Sequence, residues 1–312
     1  MQEKGKHYVI GDVHGCYEDF LLLKEKIEKR DPEATIILTG DFLDRGSQVW
    51  EMLGWAMEYI RPGGKYQSVL GNHEEMVLEW YREWKCWYQG DHQKKKPTAY
   101  YDFDMVMRSH DALTPEKLDP VMEFLGKLPF RIEVEMDNGV KFDIVHASDT
   151  FEATVNEEER RERNLWWRSH DVNRQKDIII VHGHTPTVSG LYQYMDSDRR
   201  RRGMIGYMRN DINVDGGCFV GKNDSRKLPY PCMLCAICLE TLEEIYPRTL
   251  EEQFACQNGI SEKEAKKMAE EYRRQWETVE NPHLQNMKEL LKNGFRQQKV
   301  YEELFGDVRG DK

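Results

Sequence analysis

His7-Tyr8-Val9-Ile10-Gly11-Asp12-Val13-His14-Gly15 is a short apolar run that leads directly into an acid and an imidazole between glycines. The same kind of unit follows twice along the chain. Thr35 to Thr39 precedes Gly40-Asp41-Phe42-Leu43-Asp44-Arg45-Gly46, and Gln67 to Leu70 precedes Gly71-Asn72-His73-Glu74. Short β-branched or apolar runs that end in glycine predict strands, so each motif is expected directly after a strand.

The segments between these runs have apolar residues at helical spacing, in Cys16 to Arg30 and in Val49 to Ile60. Strands that alternate with helices predict βαβ units. The second half looks more antiparallel, because Asn138-Gly139 suits a tight hairpin turn. Its strand candidates are Ile132 to Met136, Val140 to Val145, Ile178 to Val181, Asp211 to Val214, Met233 to Leu239 and Glu243 to Tyr246.

These elements are enough for two stacked sheets flanked by helices. We therefore predict an α/β fold, a four-layer αββα sandwich of two mixed β-sheets with a C-terminal helical extension. The expected division is a catalytic domain over residues 1–247, with a helical or lid insertion over 75–127, and an extension over 248–312. In the extension, apolar residues at helical spacing predict an amphipathic helical hairpin interrupted at Asn281-Pro282.

Composition limits the function classes. The 312 residues carry a formal net charge of -11, which disfavours a non-specific nucleic-acid binder. No run of apolar residues is long enough for a membrane span, and no apolar leader precedes the first strand, so we expect a cytoplasmic protein. Seven cysteines without a small secreted framework favour reduced thiols.

Later strand candidates also end in potential ligands: His146 follows Ile144-Val145, and Val181-His182-Gly183-His184-Thr185 closes another strand. Ligand sites of α/β sheets favour the carboxyl ends of strands. A single Gly-Asp or strand-end histidine is usually an ordinary turn or a hydrogen-bonded side chain. Five such fragments, each directly after an apolar run, predict one shared site.

The ordered motifs resemble the phosphoprotein phosphatase family of calcineurin-like metallophosphoesterases, in particular short bacterial serine/threonine phosphatases and symmetrical diadenosine tetraphosphatases. The resemblance covers roughly Lys6 to Tyr246 and implies a site with two metal ions. It implies the metal ligands Asp12, His14, Asp41, Asn72, His146 and His184, with Asp41 bridging the ions. It further implies that His73, paired with Asp44, donates a proton to the leaving oxygen, and that Arg45, Asn72 and Arg168 bind the phosphate.

Physical chemistry agrees with these roles. Two cations roughly 3.5 to 4 Å apart can clamp the attacking and leaving oxygens and lower the pKa of a bridging water towards about 7. The resulting metal-bridging hydroxide is the expected nucleophile, and planar arginines suit the charge that develops on the phosphate oxygens. A carboxylate beside His73 should raise the pKa of that imidazole. Mixed His, Asp and Asn ligands favour two divalent transition ions, manganese first, with iron or zinc as alternatives.

The ligands alone do not separate a phosphoprotein substrate from a nucleotide polyphosphate. Asp44 and Glu74 resemble the serine/threonine protein phosphatases, so that function is our first prediction. The alternative is a symmetrical bis(5'-nucleosyl)-tetraphosphatase, and a second alternative is an inactive phosphatase-like binding module. We expect no stable nucleic-acid partner and no membrane partner, and the sequence leaves the oligomeric state open.

Three further patterns have competing interpretations. The aromatic residues from Trp80 to Tyr88 suggest a lid over the site, although a helix that packs its aromatic face is the simpler explanation. Arg199 to Arg202 predict a loop that recognises additional phosphates or acidic residues, against an ordinary solvated loop. Cys232, Cys235 and Cys238 have metal-knuckle spacing, but their apolar strand predicts buried core cysteines.

Overall fold

Two five-stranded sheets form the centre of the molecule in the computed structural model. The structure describes residues 5–90, 95–148, 156–168, 178–189, 201–208, 210–223, 227–276 and 281–294. The strands are β1 His7–Ile10, β2 Thr35–Leu38, β3 Tyr66–Ser68, β4 Arg131–Glu135, β5 Lys141–Val145, β6 Ile178–His182, β7 Gly206–Met208, β8 Asp211–Asn213, β9 Ala236–Cys238 and β10 Glu244–Ile245. The helices are α1 Tyr17–Arg30, α2 Val49–Tyr59, α3 Asn72–Tyr88, α4 Phe103–Ser109, α5 Pro115–Leu125, α6 Glu157–Trp166, α7 Cys218–Asn223, α8 Leu250–Asn258, α9 Glu262–Arg273 and α10 Pro282–Asn293.

Both sheets are mixed. The first has the order β10-β9-β1-β2-β3, in which β1, β2 and β3 run parallel and β9 pairs antiparallel with β1. The second has the order β4-β5-β6-β8-β7, in which β5, β6 and β8 run parallel and the two edge strands are antiparallel. The parallel strands of each sheet are neighbours, so their carboxyl ends present adjacent loops at one edge of the sheet.

Alternation along β1 shows why the sheets are sandwiched. Val9 belongs to an apolar cluster that also contains Ile144 and Val181 of the second sheet. Tyr8 and Ile10 point to the other face and join a cluster with α1, α2 and α3. Successive strand side chains point to opposite faces, so the first sheet is buried on both. The predicted fold, an αββα sandwich of two mixed sheets, is confirmed.

The predicted hairpin around Asn138-Gly139 is also confirmed. Lys141 pairs with Glu135 at the start of β5, and Gly139 has a left-handed φ of 84°. The segment Gly206–Met208 was not predicted as a strand, because three residues that begin with glycine give too short a pattern. Cys232, Cys235 and Cys238 are buried, as predicted for core cysteines.

The C-terminal helices contribute to the core between the sheets. Phe254 of α8, Tyr272 of α9 and Met287 of α10 belong to the same apolar cluster as Val9. The tail therefore holds α8 in addition to the two predicted helices, and the parts of the predicted hairpin over residues 277–280 and after 294 lie outside the described residues. The boundary at residue 247 stays a prediction. In the ranges that the structure describes, no helix has both the length and the apolar character that crossing a membrane requires.

Candidate active site and metal centre

The site predicted from the motifs lies where the central strands end. Asp12 follows β1, Asp41 follows β2, and Asn72 begins α3 after β3, while His146 follows β5 and His184 follows β6. All five side chains are buried. The structure thus brings together residues from two sheets that are up to 172 positions apart in sequence, as between Asp12 and His184.

Asp41 occupies the middle of the cluster. Its Oδ1 accepts a hydrogen bond of 2.9 Å from the backbone N–H of His73, which leaves Oδ2 directed at three imidazoles. Asp41 Oδ2 lies 3.5 Å from His14 Nε2, 3.4 Å from His146 Nε2 and 3.8 Å from His73 Nε2. Two groups of potential metal-ligating atoms, one with His14 and His73 and one with His146 and His184, share this carboxylate.

Two of these imidazoles are held in one orientation by backbone carbonyls. His14 Nδ1 donates to Leu43 O at 2.9 Å, and His146 Nδ1 donates to Thr39 O at 2.8 Å. Burial lowers the pKa of each imidazole to about 3, so both are neutral at pH 7. A neutral ring that carries its proton on Nδ1 has its Nε2 lone pair available, which is the form a metal ion binds.

The second group of donors converges closely. His146 Nε2 lies 2.8 Å from Asn72 Oδ1 and 3.1 Å from His184 Nδ1, and the last two atoms are 2.9 Å apart. Nitrogen and oxygen ligands bind divalent transition ions at about 2.0–2.2 Å, so two ligands at a right angle around one ion are roughly 3 Å apart. The spacing and chemistry of these atoms therefore fit a divalent transition ion.

Asp12 is fixed from both sides. Its Oδ1 accepts from Thr39 Oγ1 and its Oδ2 accepts from the backbone N–H of His184, each at 2.8 Å. A Cβ at Gly183 would lie 2.0 Å from Asp12 Oδ1, so only glycine fits beside this carboxylate. Burial and the neighbouring carboxylates of Asp215 and Asp41 raise the pKa of Asp12 well above its usual range. Buried acids this close together require positive charge to stay ionised.

His73 and Asp44 form the predicted pair, with Nδ1 and Oδ2 2.9 Å apart. Our expectation about the charge of His73 was wrong: burial, then His14 and Arg45, lower its pKa. Burial also raises the pKa of Asp44 to about 8. Burial therefore disfavours both the imidazolium of His73 and the carboxylate of Asp44, and the pair shares a proton between Nδ1 and Oδ2.

The predicted phosphate-binding arginines border this cluster. Arg45 Nη2 lies 3.3 Å from His73 Nε2. Arg168 is exposed, and its Nη1 donates to His184 O at 3.2 Å and to Thr185 Oγ1 at 3.3 Å. Glu74, directly after His73, accepts hydrogen bonds from the backbone N–H groups of Asp41, Phe42, Leu43 and Gly71. It therefore fixes the loop that carries Asp41, Asp44 and Arg45.

Backbone strain is concentrated at the same place. Eight described residues other than glycine have a left-handed φ, and five of them belong to the predicted site: His14, Asp41, Asp44, Arg45 and His184. Such conformations cost energy and persist where the surrounding structure enforces them, which is common at functional sites. The strand-end loops are thus shaped to direct donors inwards.

A comparison with known families agrees with this geometry. The family model described as calcineurin-like phosphoesterase matches residues 6–215, two thirds of the chain. The chain belongs to the calcineurin-like phosphoesterase family. That family acts on phosphoesters, and the resemblance inferred from the motifs is confirmed. The match contains every predicted ligand and both predicted arginines.

Individual relatives are more distant or match only a part of the chain. A symmetrical bis(5'-nucleosyl)-tetraphosphatase of Cronobacter sakazakii is 41% identical over 72 residues, which are 23% of this chain and 24% of the relative. The chain thus matches about a quarter of that relative's length. A cold-active protein-tyrosine phosphatase of a psychrophilic Shewanella is 20% identical, with a TM-score of 0.45 over 78% of this chain and 81% of that one. A serine/threonine phosphatase of Saccharomyces cerevisiae is 14% identical, with a TM-score of 0.41 over 68% and 67%.

Of the two patterns near this phosphoesterase site that had competing interpretations, the aromatic residues agree with the simpler explanation, and the predicted recognition role does not hold for Arg201 and Arg202. Trp80, Tyr81 and Trp84 are buried on the packed face of α3 and form no lid. Arg201 pairs with Glu244, with its Nη1 2.8 Å from Oε1, and so does not project into solvent, while Arg202 donates to Val188 O at 2.6 Å. Arg199 and Arg200 lie outside the described residues.

Sequence reasoning also missed three neighbours of the site. Asp215 follows β8 in Val214-Asp215-Gly216-Gly217, which repeats the strand-end signal, and its pKa is raised to about 7 by burial. The rings of Tyr101 and Phe219 both lie against the Arg45 guanidinium, with centroids 4.8 and 4.6 Å from Cζ. The sequence has no motif that marks these two aromatic residues.

Proposed function

We propose that this protein is a metal-dependent phosphate-monoester hydrolase that acts on phosphoserine or phosphothreonine in proteins. The observation that carries the proposal is the His73–Asp44 pair, bound at 2.9 Å beside Arg45 and the Asp41 carboxylate. A serine or threonine alkoxide is a poor leaving group, so cleavage of such an ester needs a proton donor at the leaving oxygen. His73, at the border of the cluster of metal-ligating atoms, is the residue to which we assign this role.

Two divalent ions, manganese first, are the proposed cofactors. His146, His184 and Asn72 would hold one ion, Asp12 and His14 would hold the other, and Asp41 would contribute to both. When bound, such ions activate the attacking water and neutralise charge on the phosphate oxygens. His73 is near enough to Asp41 to be considered a ligand, but its Nδ1 is bonded to Asp44 and a guanidinium lies beside its Nε2. We therefore assign it to proton donation.

The remaining residues bind and orient the ester. Arg45 and Arg168 present planar guanidinium groups that can hold phosphate oxygens through paired hydrogen bonds. The Asn72 amide can contribute a further hydrogen bond. In the proposed role, a proton on His73 Nε2 passes to the leaving oxygen, and Asp44 holds the ring in the required orientation through Nδ1. Glu74 keeps the loop with Asp44 and Arg45 in place.

A symmetrical bis(5'-nucleosyl)-tetraphosphatase is the second candidate, favoured by the similarity to the Cronobacter sakazakii relative over 72 residues. The leaving group in such a reaction is itself a phosphate, which departs with little help from an acid. An enzyme specialised for that substrate would depend less on His73. The two functions therefore differ in what the His73–Asp44 pair contributes.

The test compares substrates that differ in leaving group, with manganese-loaded protein and matched variants. We expect turnover of a phosphothreonine peptide and of p-nitrophenyl phosphate, and slower cleavage of diadenosine tetraphosphate. His73→Asn should lower peptide turnover by about 10²–10⁴-fold and p-nitrophenyl phosphate turnover much less. Asp12→Asn should abolish both activities, whereas the exposed control His110→Asn should leave both unchanged.

Preferential cleavage of diadenosine tetraphosphate, with little loss in His73→Asn, would transfer the assignment to the second candidate. No turnover of any substrate with bound manganese would favour the inactive binding module.

A further inference from the structure

The guanidinium of Arg45 contacts two aromatic rings from distant parts of the chain. The ring centroid of Tyr101 lies 4.8 Å from Cζ, and that of Phe219 lies 4.6 Å from it. The Tyr101 hydroxyl also accepts a hydrogen bond of 3.2 Å from Arg45 Nη2. A guanidinium above a ring is attracted by the π-system, and the attraction grows when water is excluded. Tyr101 therefore contacts Arg45 through its ring and its hydroxyl together.

Contacts made by residues on both sides of Tyr101 in the sequence hold it in this position. The loop before it is attached to α3, where Trp80 Nε1 donates to Pro97 O at 3.4 Å and the Lys96 ammonium lies 5.4 Å above the Trp87 ring. Two residues after Tyr101, Phe103 begins α4 and is fully buried. Tyr101 is thus fixed between two anchored segments although no motif marks it.

Packing alone does not account for Tyr101. Its side chain is 49% exposed, so it contributes little to the core. Its φ of 57° is left-handed, a conformation that costs energy for a residue with a bulky side chain. The ring centroid also lies 4.5 Å from that of His73. An exposed aromatic residue in a strained conformation, in contact with two proposed site residues, indicates a role in the site.

We propose that Tyr101 is a positioning residue that orients the Arg45 guanidinium for binding the substrate phosphate, with Phe219 as a second aromatic contact. The hydroxyl accepts one of the five N–H donors of the guanidinium, and the rings restrict its plane. An unrestrained arginine side chain would have to lose its rotamer freedom each time it bound phosphate. The inference rests on the proposed function, because it assumes that Arg45 binds the ester phosphate.

Kinetics and phosphate binding of the manganese-loaded protein test this role. Tyr101→Ala should raise the KM for p-nitrophenyl phosphate and the Ki of inorganic phosphate in parallel, by roughly three- to thirty-fold, the range of a cation–π contact. The value of kcat should stay within about twofold, since ground state and transition state lose the contact alike. Tyr101→Phe should keep most of the affinity because it keeps the ring. Calorimetric titration with phosphate provides a readout that does not depend on turnover.

Two controls make the result specific. Tyr100→Ala removes the adjacent tyrosine, which is 62% exposed, and should change nothing. In an Arg45→Ala background, Tyr101→Ala should have no additional effect on phosphate affinity, because contacting residues are not additive. Tyr101→Leu keeps the bulk without a π-face, and its loss of affinity is expected even if Tyr101→Ala proves unstable.

Unchanged KM and Ki in Tyr101→Ala and Tyr101→Leu would overturn the inference, and so would a loss confined to kcat, which would place the effect on His73. If the unmodified protein hydrolyses no phosphoester but Tyr101→Ala weakens phosphate binding, the proposed function fails and the positioning role stands.

Discussion

Charged groups are buried in two regions, the candidate active site and the side of the sandwich formed by β7 and β10. The two regions differ in how these charges are compensated. At that side, Arg201, Tyr207, Glu244 and Tyr246 form what we call the side cluster. Arg201 and Glu244 are only 11% and 16% exposed, and both Glu244 oxygens accept hydrogen bonds from the guanidinium and the two tyrosines. At the active site, by contrast, Asp44 Oδ1 is buried without a hydrogen-bond partner among the described residues.

The pKa shifts of the buried carboxyl groups have opposite directions in the side cluster and in the active site. Although burial alone would raise the pKa of Glu244, Arg201 and the two tyrosine hydroxyls lower it below its usual range. Burial raises the pKa of Asp41 well above its usual range, and the nearby Glu74 and Asp44 raise it further. The side cluster thus neutralises its charge internally and serves stability. The acids of the active site are not compensated in this way, and bound divalent cations would supply the missing positive charge.

The largest expected effect comes from removing charge at the active site. Asp41→Asn should lower kcat/KM for p-nitrophenyl phosphate by about 10³-fold or more, because it removes the carboxylate shared by both ligand groups. The metal-free variant should be at least as stable as the unmodified protein, since a buried acid with a raised pKa destabilises the fold when it ionises. Enzyme assays with manganese and thermal unfolding with a chelator measure the two quantities.

Asp137→Asn is the matched control, since Asp137 is an exposed turn residue, and it should change neither activity nor stability. A marked loss of metal-free stability in Asp41→Asn would show that the active-site charge is as structural as that of the side cluster, and the comparison would fail.

The side cluster should respond in the opposite way. Arg201→Met leaves Glu244 without its cation and should lower the free energy of unfolding by about 3 kcal/mol, while kcat/KM stays within about twofold. Combining it with Glu244→Met should recover most of the loss, because hydrophobic replacement of a buried pair is often neutral. Urea unfolding provides the measurement, with exposed Arg274→Met as the control. A raised KM for a polyanionic substrate would instead restore the recognition role that we first predicted for this arginine loop.

The same pair predicts a smaller, pH-dependent effect. The pKa of Glu244 in the folded protein is lowered, so its contribution to stability is present above the ordinary carboxyl pKa. That contribution is lost as the pH falls through the folded pKa. The stability difference between the unmodified protein and Glu244→Gln should therefore shrink on acidification from pH 7 to below about 4. A difference that stays constant over this range, measured by urea unfolding, would contradict the assignment of Glu244 as an ionised partner.

Features of the fold and of the candidate site could be predicted from the sequence where a local sequence pattern determines them. The strands before Asp12, Asp41 and His146 are short apolar runs with glycine or histidine at their ends, so their positions and the convergence of their ligands were predictable. Asp215 follows the same rule and could have been found with it. The carboxyl edge of a sheet collects such residues whatever their distance along the chain.

Other features depend on partners that no local pattern reveals. Arg201 and Glu244 are 43 positions apart, and the sequence alone does not distinguish a paired arginine from a solvated one. The low pKa of His73 arises from its burial near His14 and Arg45, which only the folded arrangement determines. Tyr101 likewise reaches Arg45 because Pro97 and Phe103 are anchored elsewhere. Tertiary context, not sequence periodicity, decides each of these.

The smallest expected effect concerns the helix that packs near the side cluster. Thr249 caps the N-terminus of α8: its hydroxyl accepts from the N–H of Glu252 at 3.2 Å, and its own N–H donates to the Glu252 carboxylate at 2.8 Å. Thr249→Ala should cost about 1 kcal/mol of unfolding free energy, and Thr249→Ser should retain most of it. Phe254 of α8 packs against Tyr272, whose hydroxyl donates to Arg202 O. Loss of the Thr249 cap should therefore also weaken the packing next to the side cluster. Manganese affinity and kcat/KM should not change, and a loss in either would show that the two regions are energetically coupled.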